Sequence, residues 1–420
     1  MRSPVRETER DDVVRSYALV AGGGTAGHLQ PALAIAEALV ARGHDRATIG
    51  FLGSARGQDA VTLAGRGFGV TLLPGRGIVR SFGPRDVVRN VRSVAELVTA
   101  AVRAIGEVGR ARPRVVVAVG GYASLAGAVG ALAHRVPLVL VNVDAVPGAA
   151  NRLLGRFARA CAVGWEGTPL PRAVVTGTPV RPGIAAVDRT PAGRAEARRR
   201  LRLPEDRAAV VAFGGSLGAR RINGAVDGMA ERWASRDDLA VYHIVGRRDW
   251  ETYRTGADDV HGTAPESGPA AAPTAASAGG GGLALVRVAY EEHMAAVYAA
   301  ADLVVCRAGA MTVAELAAAG VPAVLVPLPG APGDHQTANA RVLERVGAAV
   351  LVADHDCTPL GLAAIVEGLL ADPGRLEAMG AAARSAGRPD AADAGARLVE
   401  ESALPPEGHR PSGPDGRETS

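Results

Sequence analysis

The chain has 420 residues, of which 48% are hydrophobic, and its formal net charge is +4. This apolar content is sufficient for two cores of ordinary size, so we expect two domains. A net charge this small is too little for a nucleic-acid-binding protein unless the positive charge is concentrated in one patch, so we expect no nucleic-acid partner. The three cysteines stand far apart and form no C-x-x-C pair, so they indicate neither a zinc site nor a disulfide framework.

The composition also marks segments that lie outside the compact domains. Residues 1–15 are charged and polar, lack the apolar core of a signal peptide and are predicted to form a loose leader. Residues 255–282 are rich in Gly, Ala, Pro and Ser and predict a disordered surface loop, and residues 405–420 predict a disordered tail. No stretch of about 18 apolar residues is free of glycine or charge, so we expect no membrane-spanning helix.

Short apolar runs alternate with helix-like segments from residue 16 onward. The first series has predicted strands at 17–21, 48–52, 69–73, 115–119, 137–141 and 173–176, and helices at 31–42, 58–66, 84–110, 124–134 and 149–158. The second series has strands at 210–213, 241–245, 284–286, 303–306, 323–327 and 348–352, and helices at 219–234, 291–300, 312–319, 334–346 and 359–371. Each alternation predicts a parallel sheet covered by helices on both faces.

Two α/β domains of similar size follow from this alternation. The first is predicted to span residues 16–180 and the second residues 181–390, joined by a segment rich in proline and glycine. The helix-like stretch 391–404 is expected to pack back on the first domain. In parallel sheets of this kind, ligands bind at the carboxyl ends of the strands.

A glycine-rich turn, residues 22–28 (GGGTAGH), follows the first predicted strand and leads into an alanine-rich helix. Glycine lets the backbone approach a ligand closely, and the unpaired amides of a helix N-terminus attract phosphate or pyrophosphate. His28 lies in the first turn of that helix and is a candidate proton acceptor, since histidine is the side chain suited to exchange protons near neutral pH. A bare tight turn, which any α/β protein needs, explains the same glycines.

Two further glycine turns follow strands, at residues 119–124 (VGGYAS) and 213–220 (FGGSLGAR). Residues 306–315 contain Thr312 and Glu315, which fit a capping box, T-x-x-E; the alternative is a phosphate site at the helix N-terminus, with Glu315 accepting from ribose hydroxyls. Residues 333–340 (GDHQTANA) fit a plain helix start, and Asp334 with His335 lacks the third ligand of a metal site.

Two arginine features complete the pattern. Arg181 stands at the predicted domain junction, where it is either a solvated side chain or a phosphate ligand. The stretch 76–92 interleaves Arg80, Arg85, Arg89 and Arg92 with apolar residues. Such a segment can lie on an anionic membrane surface, and an ordinary amphipathic helix with a solvated face has the same pattern.

These motifs, in this order and spacing, resemble the MurG family over residues 17–375, with the 255–282 segment as an interruption. The resemblance is carried by residues 23–28 with Pro31, 120–124, 177–181, 214–223, 306–315 and 334–340. It implies a GT-B fold, with two Rossmann-like doubly wound domains facing each other across a cleft. That family transfers N-acetylglucosamine from UDP-GlcNAc to the muramoyl 4-hydroxyl of undecaprenyl-pyrophosphoryl-MurNAc-pentapeptide (lipid I to lipid II) in peptidoglycan synthesis.

The resemblance also implies site residues, which divide into a donor set and an acceptor set. The implied donor contacts are Arg181 and Ser216 at the diphosphate, Ala310, Met311, Thr312 and Val313 at a helix N-terminus beside it, Glu315 at the ribose, the backbone near Glu291 at uracil, and Gln336 and Asn339 at the sugar. The implied acceptor pyrophosphate contacts are Thr25, Ala26, Gly27, Gly120, Gly121, Tyr122 and Ser124.

The chemistry that these residues suit is one-step displacement with inversion. Backbone amides, a helix dipole and Arg181 can stabilise a departing UDP, so no metal and no cofactor are expected. His28 is the candidate base. Where the family usually has His-Glu-Gln-Asn, residues 141–144 are VNVD, so Asp144 is an alternative base or acceptor contact. The family's usual Asn before Pro-Val-Arg is Thr178 here, and its usual Gln after Gly-Gly-Ser is Leu217.

The resemblance further implies a peripheral enzyme at the cytoplasmic face of the cell membrane, with cell-wall and division machinery as partners. Other functions fit parts of the same pattern. A related transferase acting on another lipid or a small molecule fits residues 141–144. A UDP-sugar 2-epimerase would share the fold, and a nucleotide-sugar-binding protein without catalysis would keep the donor contacts.

Overall fold

The computed structural model describes residues 16–24, 26–55, 59–74, 84–215, 219–256, 274–276 and 282–405, with the backbone alone at 26, 84–94, 254–256 and 274–276. The predicted leader, the tail beyond residue 405, Thr25 and Ser216 therefore lie outside the described residues. So do residues 257–273 and 277–281 of the predicted disordered loop. Within the described ranges, no helix combines the length and the apolarity that crossing a bilayer requires.

The strands of the described residues form two sheets. The first sheet contains β1 (Ala18–Gly22), β2 (Ile49–Ser54), β3 (Gly69–Leu73), β4 (Val115–Gly120), β5 (Leu138–Asn142), β6 (Ala160–Val163) and β7 (Ala173–Val175). The second contains β8 (Ala208–Phe213), β9 (Leu239–Ile244), β10 (Thr274–Ala276), β11 (Ala284–Val288), β12 (Leu303–Cys306), β13 (Ala323–Leu325) and β14 (Ala349–Leu351).

The helices that connect these strands are α1 (Ala26–Ala41), α2 (Asp59–Leu63), α3 (Pro84–Ala111), α4 (Gly121–Ala133), α5 (Ala149–Gly155), α6 (Pro182–Ala185), α7 (Pro191–Arg200) and α8 (Arg220–Arg232). The remaining helices are α9 (Arg247–Gly256), α10 (Met294–Ala300), α11 (Ala310–Ala319), α12 (His335–Arg345), α13 (Pro359–Leu370), α14 (Pro373–Ala386) and α15 (Ala391–Ser402).

The first sheet has the strand order β3-β2-β1-β4-β5-β6-β7. Its centre is parallel, because β1 pairs in parallel with both β2 and β4, and β4 pairs in parallel with β5. All six residues of β4 are buried, as expected of a strand that helices cover on both faces. Sequence periodicity did not predict β6, since its four residues, ACAV, are too short to show a period.

The second sheet has the order β10-β11-β9-β8-β12-β13-β14. Its strands pair in parallel except β10, which runs antiparallel to β11. Successive residues of β8 point into different cores: Val211 packs with Val304, and Val210 packs with Val305. Helices therefore cover both faces of this sheet, as the alternating pattern predicts.

Residues 255–282 and helix α1 are among the segments that differ from the sequence predictions. Strand β10 and the end of helix α9 lie inside the 255–282 segment, which we expected to be a loop throughout. Helix α1 begins at Ala26, five residues before the predicted start, and contains Pro31. With this start, His28 is the third residue of α1 and lies in its first turn, as the motif predicts.

The chain divides into two compact units. One comprises Met1–Val141, Leu153–Cys161 and Ala396–Ser420, and the other comprises Asn142–Arg152 and Ala162–Gly395. We call them the first unit and the second unit. The C-terminal helix α15 contributes to the first unit, where Glu400 binds Arg42 at 2.8 Å and His44 at 2.9 Å.

Candidate functional site

Two glycine turns of the first unit lie side by side. Strands β1 and β4 are neighbours, and Gly22 at the end of β1 is in register with Gly120 at the end of β4. A shift in register just before Gly22 ends the regular pairing there. The parallel sheet thus brings the turns after residues 22 and 120 to one edge, as predicted from the positions of the glycines.

The backbone at this edge is packed too closely for side chains. Gly120 has a φ of 117°, and a Cβ there would stand 2.5 Å from Nδ1 of His28. A Cβ on Gly121 would stand 2.4 Å from the carbonyl oxygen of Gly23. Glycine is therefore required at both positions, and His28 is held directly against the second turn.

A buried carboxylate supports the first turn. Asp59, the first residue of α2, is 1% exposed and accepts hydrogen bonds from the amides of Gly24 and Ser54 at 2.9 Å and 2.7 Å. Sequence reasoning missed Asp59. Asp59 and Gly24 are 35 residues apart, and their contact can be inferred only once β2 is known to lie beside β1.

The second turn continues into helix α4. Tyr122 donates its hydroxyl to the carbonyl of Leu73, and burial raises the pKa of Tyr122 above its ordinary value. Ser124 is 1% exposed, and its hydroxyl has no hydrogen-bond partner among the described residues. A buried hydroxyl without a partner is costly in a protein interior, so this group is suited to receive a polar ligand atom.

The candidate site of the second unit is built in the same way. Strand β12 pairs with β8 on one side and β13 on the other, with Cys306 in register with both Phe213 and Leu325. The segments that follow these strands therefore begin at one edge of the sheet. They carry the third glycine turn, the start of α11 and the loop before α12.

Glu315 is the central acid of this site. Its carboxylate accepts a hydrogen bond from the Tyr298 hydroxyl at 2.9 Å and faces Nη2 of Arg181 at 3.5 Å. Burial raises the pKa of Glu315, and the Arg181 guanidinium and the Tyr298 hydroxyl oppose that rise. Tyr298 is fully buried, and sequence reasoning missed its contribution because an apolar helix position usually indicates core packing.

Helix α11 does not begin with a capping box. Its N-cap is Gly309, no side chain caps it, and Thr312 lies in the first turn rather than at the cap. Glu315 is engaged with Tyr298 and Arg181 instead. The amides of the first turn, at Ala310 and Met311, are consequently left to bind another group.

The predicted sugar-binding residues have different surroundings. Gln336 accepts from the amide of Leu328 at 3.0 Å. Asn339 is 0% exposed, and its side-chain amide binds the Ala145 amide at 2.8 Å and the Asp144 carboxylate at 2.9 Å. In this structure, Asn339 thus fixes the segment after β5, and its contact with a sugar stays a prediction.

Glu291 lies in the loop between β11 and α10. Its carboxylate accepts from the hydroxyl of Tyr242 at 2.8 Å and from the amide of His293 at 2.7 Å. Burial raises the pKa of Tyr242, with a further rise from Glu291. These bonds fix the backbone conformation of the loop. Recognition of a base through backbone N–H and C=O groups requires such a fixed conformation.

Some predicted residues cannot be placed. Thr25 and Ser216 lie outside the described residues, as do Arg80 and the side chains of Arg85, Arg89 and Arg92 in the basic stretch. The structure does bring some of the remaining candidates together within their own units. Arg181 joins Glu315 in the second unit, and His28 joins Gly120 in the first.

Two protein-family models match this chain. Residues 18–163 match the glycosyltransferase family 28 N-terminal domain, and residues 209–394 match the glycosyltransferase family 28 C-terminal domain. A Nocardioides protein named UDP-N-acetylglucosamine–N-acetylmuramyl-(pentapeptide) pyrophosphoryl-undecaprenol N-acetylglucosamine transferase is 40% identical, over 92% of this chain and 98% of its own length. A protein of the same name from Desulforudis audaxviator is 34% identical, over 91% of this chain and 97% of its own length.

A solved structure agrees with these relatives. The crystal structure of Acinetobacter baumannii MurG is similar with a TM-score of 0.69 and 26% identity, and the match covers 92% of this chain and 99% of that one. The predicted fold class, an α/β fold of the GT-B type, is confirmed by the paired domain matches and this neighbour. On these grounds the chain belongs to glycosyltransferase family 28 and, within it, to the MurG family.

Proposed function

We propose that this enzyme transfers N-acetylglucosamine from UDP-GlcNAc to the muramoyl 4-hydroxyl of undecaprenyl-pyrophosphoryl-MurNAc-pentapeptide, which converts lipid I to lipid II in peptidoglycan synthesis. The observation that carries the proposal is the arrangement of Glu315, Tyr298 and Arg181 beside an uncapped helix N-terminus, in a chain of this family. A nucleoside diphosphate sugar requires a carboxylate that accepts hydrogen bonds from the ribose hydroxyls and backbone amides that donate hydrogen bonds to the diphosphate.

In the donor half, Glu315 holds the ribose and the first-turn amides of α11 receive the diphosphate, with Ser216 and Arg181 beside it. Arg181 suits this role because its Nε is buried without a hydrogen-bond partner among the described residues. An anionic oxygen of the diphosphate would satisfy that donor. The backbone near Glu291 reads uracil, and Gln336 with Asn339 reaches the sugar.

In the acceptor half, the two turns of the first unit bind the lipid pyrophosphate. Their contacts are Thr25, Ala26, Gly27, Gly120, Gly121, Tyr122 and Ser124. The buried, unpartnered hydroxyl of Ser124 and the closely packed glycine backbone support this assignment.

The reaction is a single displacement. The acceptor 4-hydroxyl oxygen bonds to the anomeric carbon, the bond from that carbon to the UDP oxygen breaks, and UDP leaves with the electron pair. His28 accepts the hydroxyl proton, with Asp144 as the alternative base. Attack from the opposite face inverts an α-linked donor to a β(1→4) product. The leaving charge is stabilised by amides and Arg181, so the reaction requires no metal and no cofactor.

The lipid acceptor places the enzyme at the cytoplasmic face of the cell membrane as a peripheral protein. The basic stretch 76–92 is the proposed contact with anionic lipid. Cell-wall and division machinery are its expected protein partners.

Transfer of labelled sugar from UDP-GlcNAc to lipid I, or to a short-chain analogue, tests the proposal with EDTA present. We expect lipid product in EDTA, and a loss of about 100-fold or more in kcat for His28→Ala, because a general base is removed. His134→Ala is the matched control, since His134 is an exposed histidine of the same unit whose imidazole bonds the backbone carbonyl of Ile105. Its activity should equal that of the wild type.

Three results would overturn the proposal. Donor hydrolysis without lipid product would indicate another acceptor. Conversion of free UDP-GlcNAc to UDP-ManNAc without any acceptor would indicate an epimerase. Uridine-nucleotide binding without turnover of any kind would indicate a binding protein.

A further inference from the structure

We propose that Asp59 is a positioning residue for the acceptor side, which holds the first glycine turn in the shape that receives the lipid pyrophosphate. The inference rests on the proposed function and adds a residue to it. Asp59 touches the turn from behind and contacts no reacting group, so it acts through the backbone of residues 22–24. The turn is therefore shaped before the ligand arrives.

The contacts converge on one carboxylate. Both oxygens of Asp59 lie within hydrogen-bond distance of the Gly24 amide, at 3.0 Å and 2.9 Å, and one also receives the Ser54 amide at 2.7 Å. With 1% exposure, the carboxylate is removed from water. An ionised acceptor shared by backbone amides makes stronger hydrogen bonds than a neutral one. These bonds therefore tie the turn after β1 to the end of β2.

The geometry around Gly23 shows how closely the turn fits the acid. A Cβ on Gly23 would stand 1.9 Å from one Asp59 oxygen. Gly53, near the end of β2, also lies near the acid, with a Cβ position 3.3 Å from the same oxygen. The requirement for glycine at position 23 is thus explained as much by this carboxylate as by a ligand.

The carboxylate also decides which amides remain for a ligand. The Gly24 amide is directed at Asp59, so the first turn must offer other amides to an anion, such as those of Ala26 and Gly27 at the start of α1. A negative charge behind the turn does not attract a pyrophosphate by itself. Its benefit is preorganisation, because a turn already fixed in the bound shape loses less entropy on binding.

The test compares Asp59→Asn with the wild type in the lipid transfer assay. Asparagine keeps the size of the side chain but presents an NH₂ group where an amide donor needs an acceptor. We expect the KM for the lipid acceptor to rise about tenfold, consistent with the loss of a hydrogen bond to a charged group. The KM for UDP-GlcNAc should stay within twofold. Hydrogen exchange at the Gly24 amide should become faster.

Asp249→Asn is the matched control. Asp249 is also a buried carboxylate, 6% exposed, with Asn223 and Arg248 as hydrogen-bond partners in the second unit. Its replacement should not raise the acceptor KM. A rise that follows loss of any buried carboxylate would assign Asp59 to general stability and overturn the proposal.

The outcomes are separable from those for the proposed function. If the wild type makes no lipid product, the function itself fails. If the wild type is active and Asp59→Asn leaves the acceptor KM unchanged, or raises both KM values equally, only the positioning role fails. If the Asp59→Asn variant does not fold, the Asp59→Glu variant tests the positioning role instead. Its extra methylene pushes the carboxylate against Gly23, so the acceptor KM should rise alone, and an unchanged value contradicts the proposal.

Discussion

The turn after β1 and the start of α11 share one local pattern: a buried strand, glycine, and an alanine-rich helix. They are stabilised differently. In the first turn, the Gly24 amide is bound by Asp59, which belongs to the helix after the neighbouring strand. At α11, the N-cap Gly309 offers no side chain, and the acid of the site, Glu315, belongs to the helix itself.

This difference shows that a strand–glycine–helix pattern does not determine which groups its backbone amides bind. In the first turn an internal anion uses an amide and shapes the loop. At α11 the first-turn amides are left uncapped, and Glu315 is oriented by Tyr298 and Arg181 as an acceptor for hydroxyl donors. Mutations in the two regions should therefore change the kinetic constants for different substrates. Mutations in the first turn should affect the acceptor, and mutations at α11 should affect the donor.

The largest effect is expected at Gly120. Alanine there combines a φ of 117°, which is unfavourable for a residue with a Cβ, with a methyl group 2.5 Å from Nδ1 of His28. Displacing a reacting group by about 1 Å costs about 100-fold, so kcat/KM for the acceptor should fall by that order. Steady-state kinetics with varied acceptor checks it.

Gly43→Ala is the control for backbone strain alone. Gly43 has a φ of 100° and no atom within 4 Å of its Cβ position. It should cost stability, measured by thermal unfolding, and leave kcat/KM intact. Equal losses of activity in the two variants would contradict the packing argument.

The next effect is expected for Glu315→Gln, which tests the donor region. The neutral amide keeps the shape but removes the charge that faces Arg181 and accepts from Tyr298. Hydrogen bonds to charged groups contribute about 2 kcal/mol, so kcat/KM for UDP-GlcNAc should fall roughly 30-fold while the acceptor KM stays constant. Repeating the assay with 2′-deoxy-UDP-GlcNAc should give a smaller ratio between wild type and variant; an unchanged ratio would separate Glu315 from the ribose.

A smaller, pH-dependent effect is expected for Tyr298→Phe. Burial raises the pKa of Glu315, and Tyr298 is one of the groups that hold it down. Donor binding requires the ionised carboxylate, so affinity should fall as the pH falls through that pKa. Without the hydroxyl the pKa rises further, and the acid limb of kcat/KM for UDP-GlcNAc should move to higher pH, with a loss of about fivefold at neutral pH. A limb that does not move would contradict this role.

The smallest effect on catalysis is expected for His243→Gln. This variant distinguishes the pH dependence of catalysis from the pH dependence of unfolding. Burial lowers the pKa of His243 to about 4. Between that value and its ordinary pKa of about 6.5, the unfolded chain binds a proton that the folded chain does not, so stability falls as the pH falls through this range. The variant should lose part of this acid sensitivity in urea unfolding and leave the acid limb of catalysis in place.

Much of the fold followed from local pattern. The predicted strands of both series occur within two residues of their predicted ends, because buried parallel strands are unbroken apolar runs bounded by glycine and proline. The prediction missed several elements, including β6, α7, α9 and α14. Strand β6 has four residues, and α7, PAGRAEARRR, has no apolar face; its Arg198 is fixed by Asp302 at 2.7 Å, a partner 104 residues away.

The sequence by itself determined the order of the glycine turns, the candidate acid Glu315 and the candidate base His28. Turn residues and titratable groups can be recognised within a single short segment of sequence. Only the tertiary structure decided which partners reach them. Asp59 meets Gly24 because β2 lies beside β1, and Tyr298 meets Glu315 because α10 and α11 pack on the same sheet. Such contacts join distant residues through strand order and helix packing, which no local period encodes.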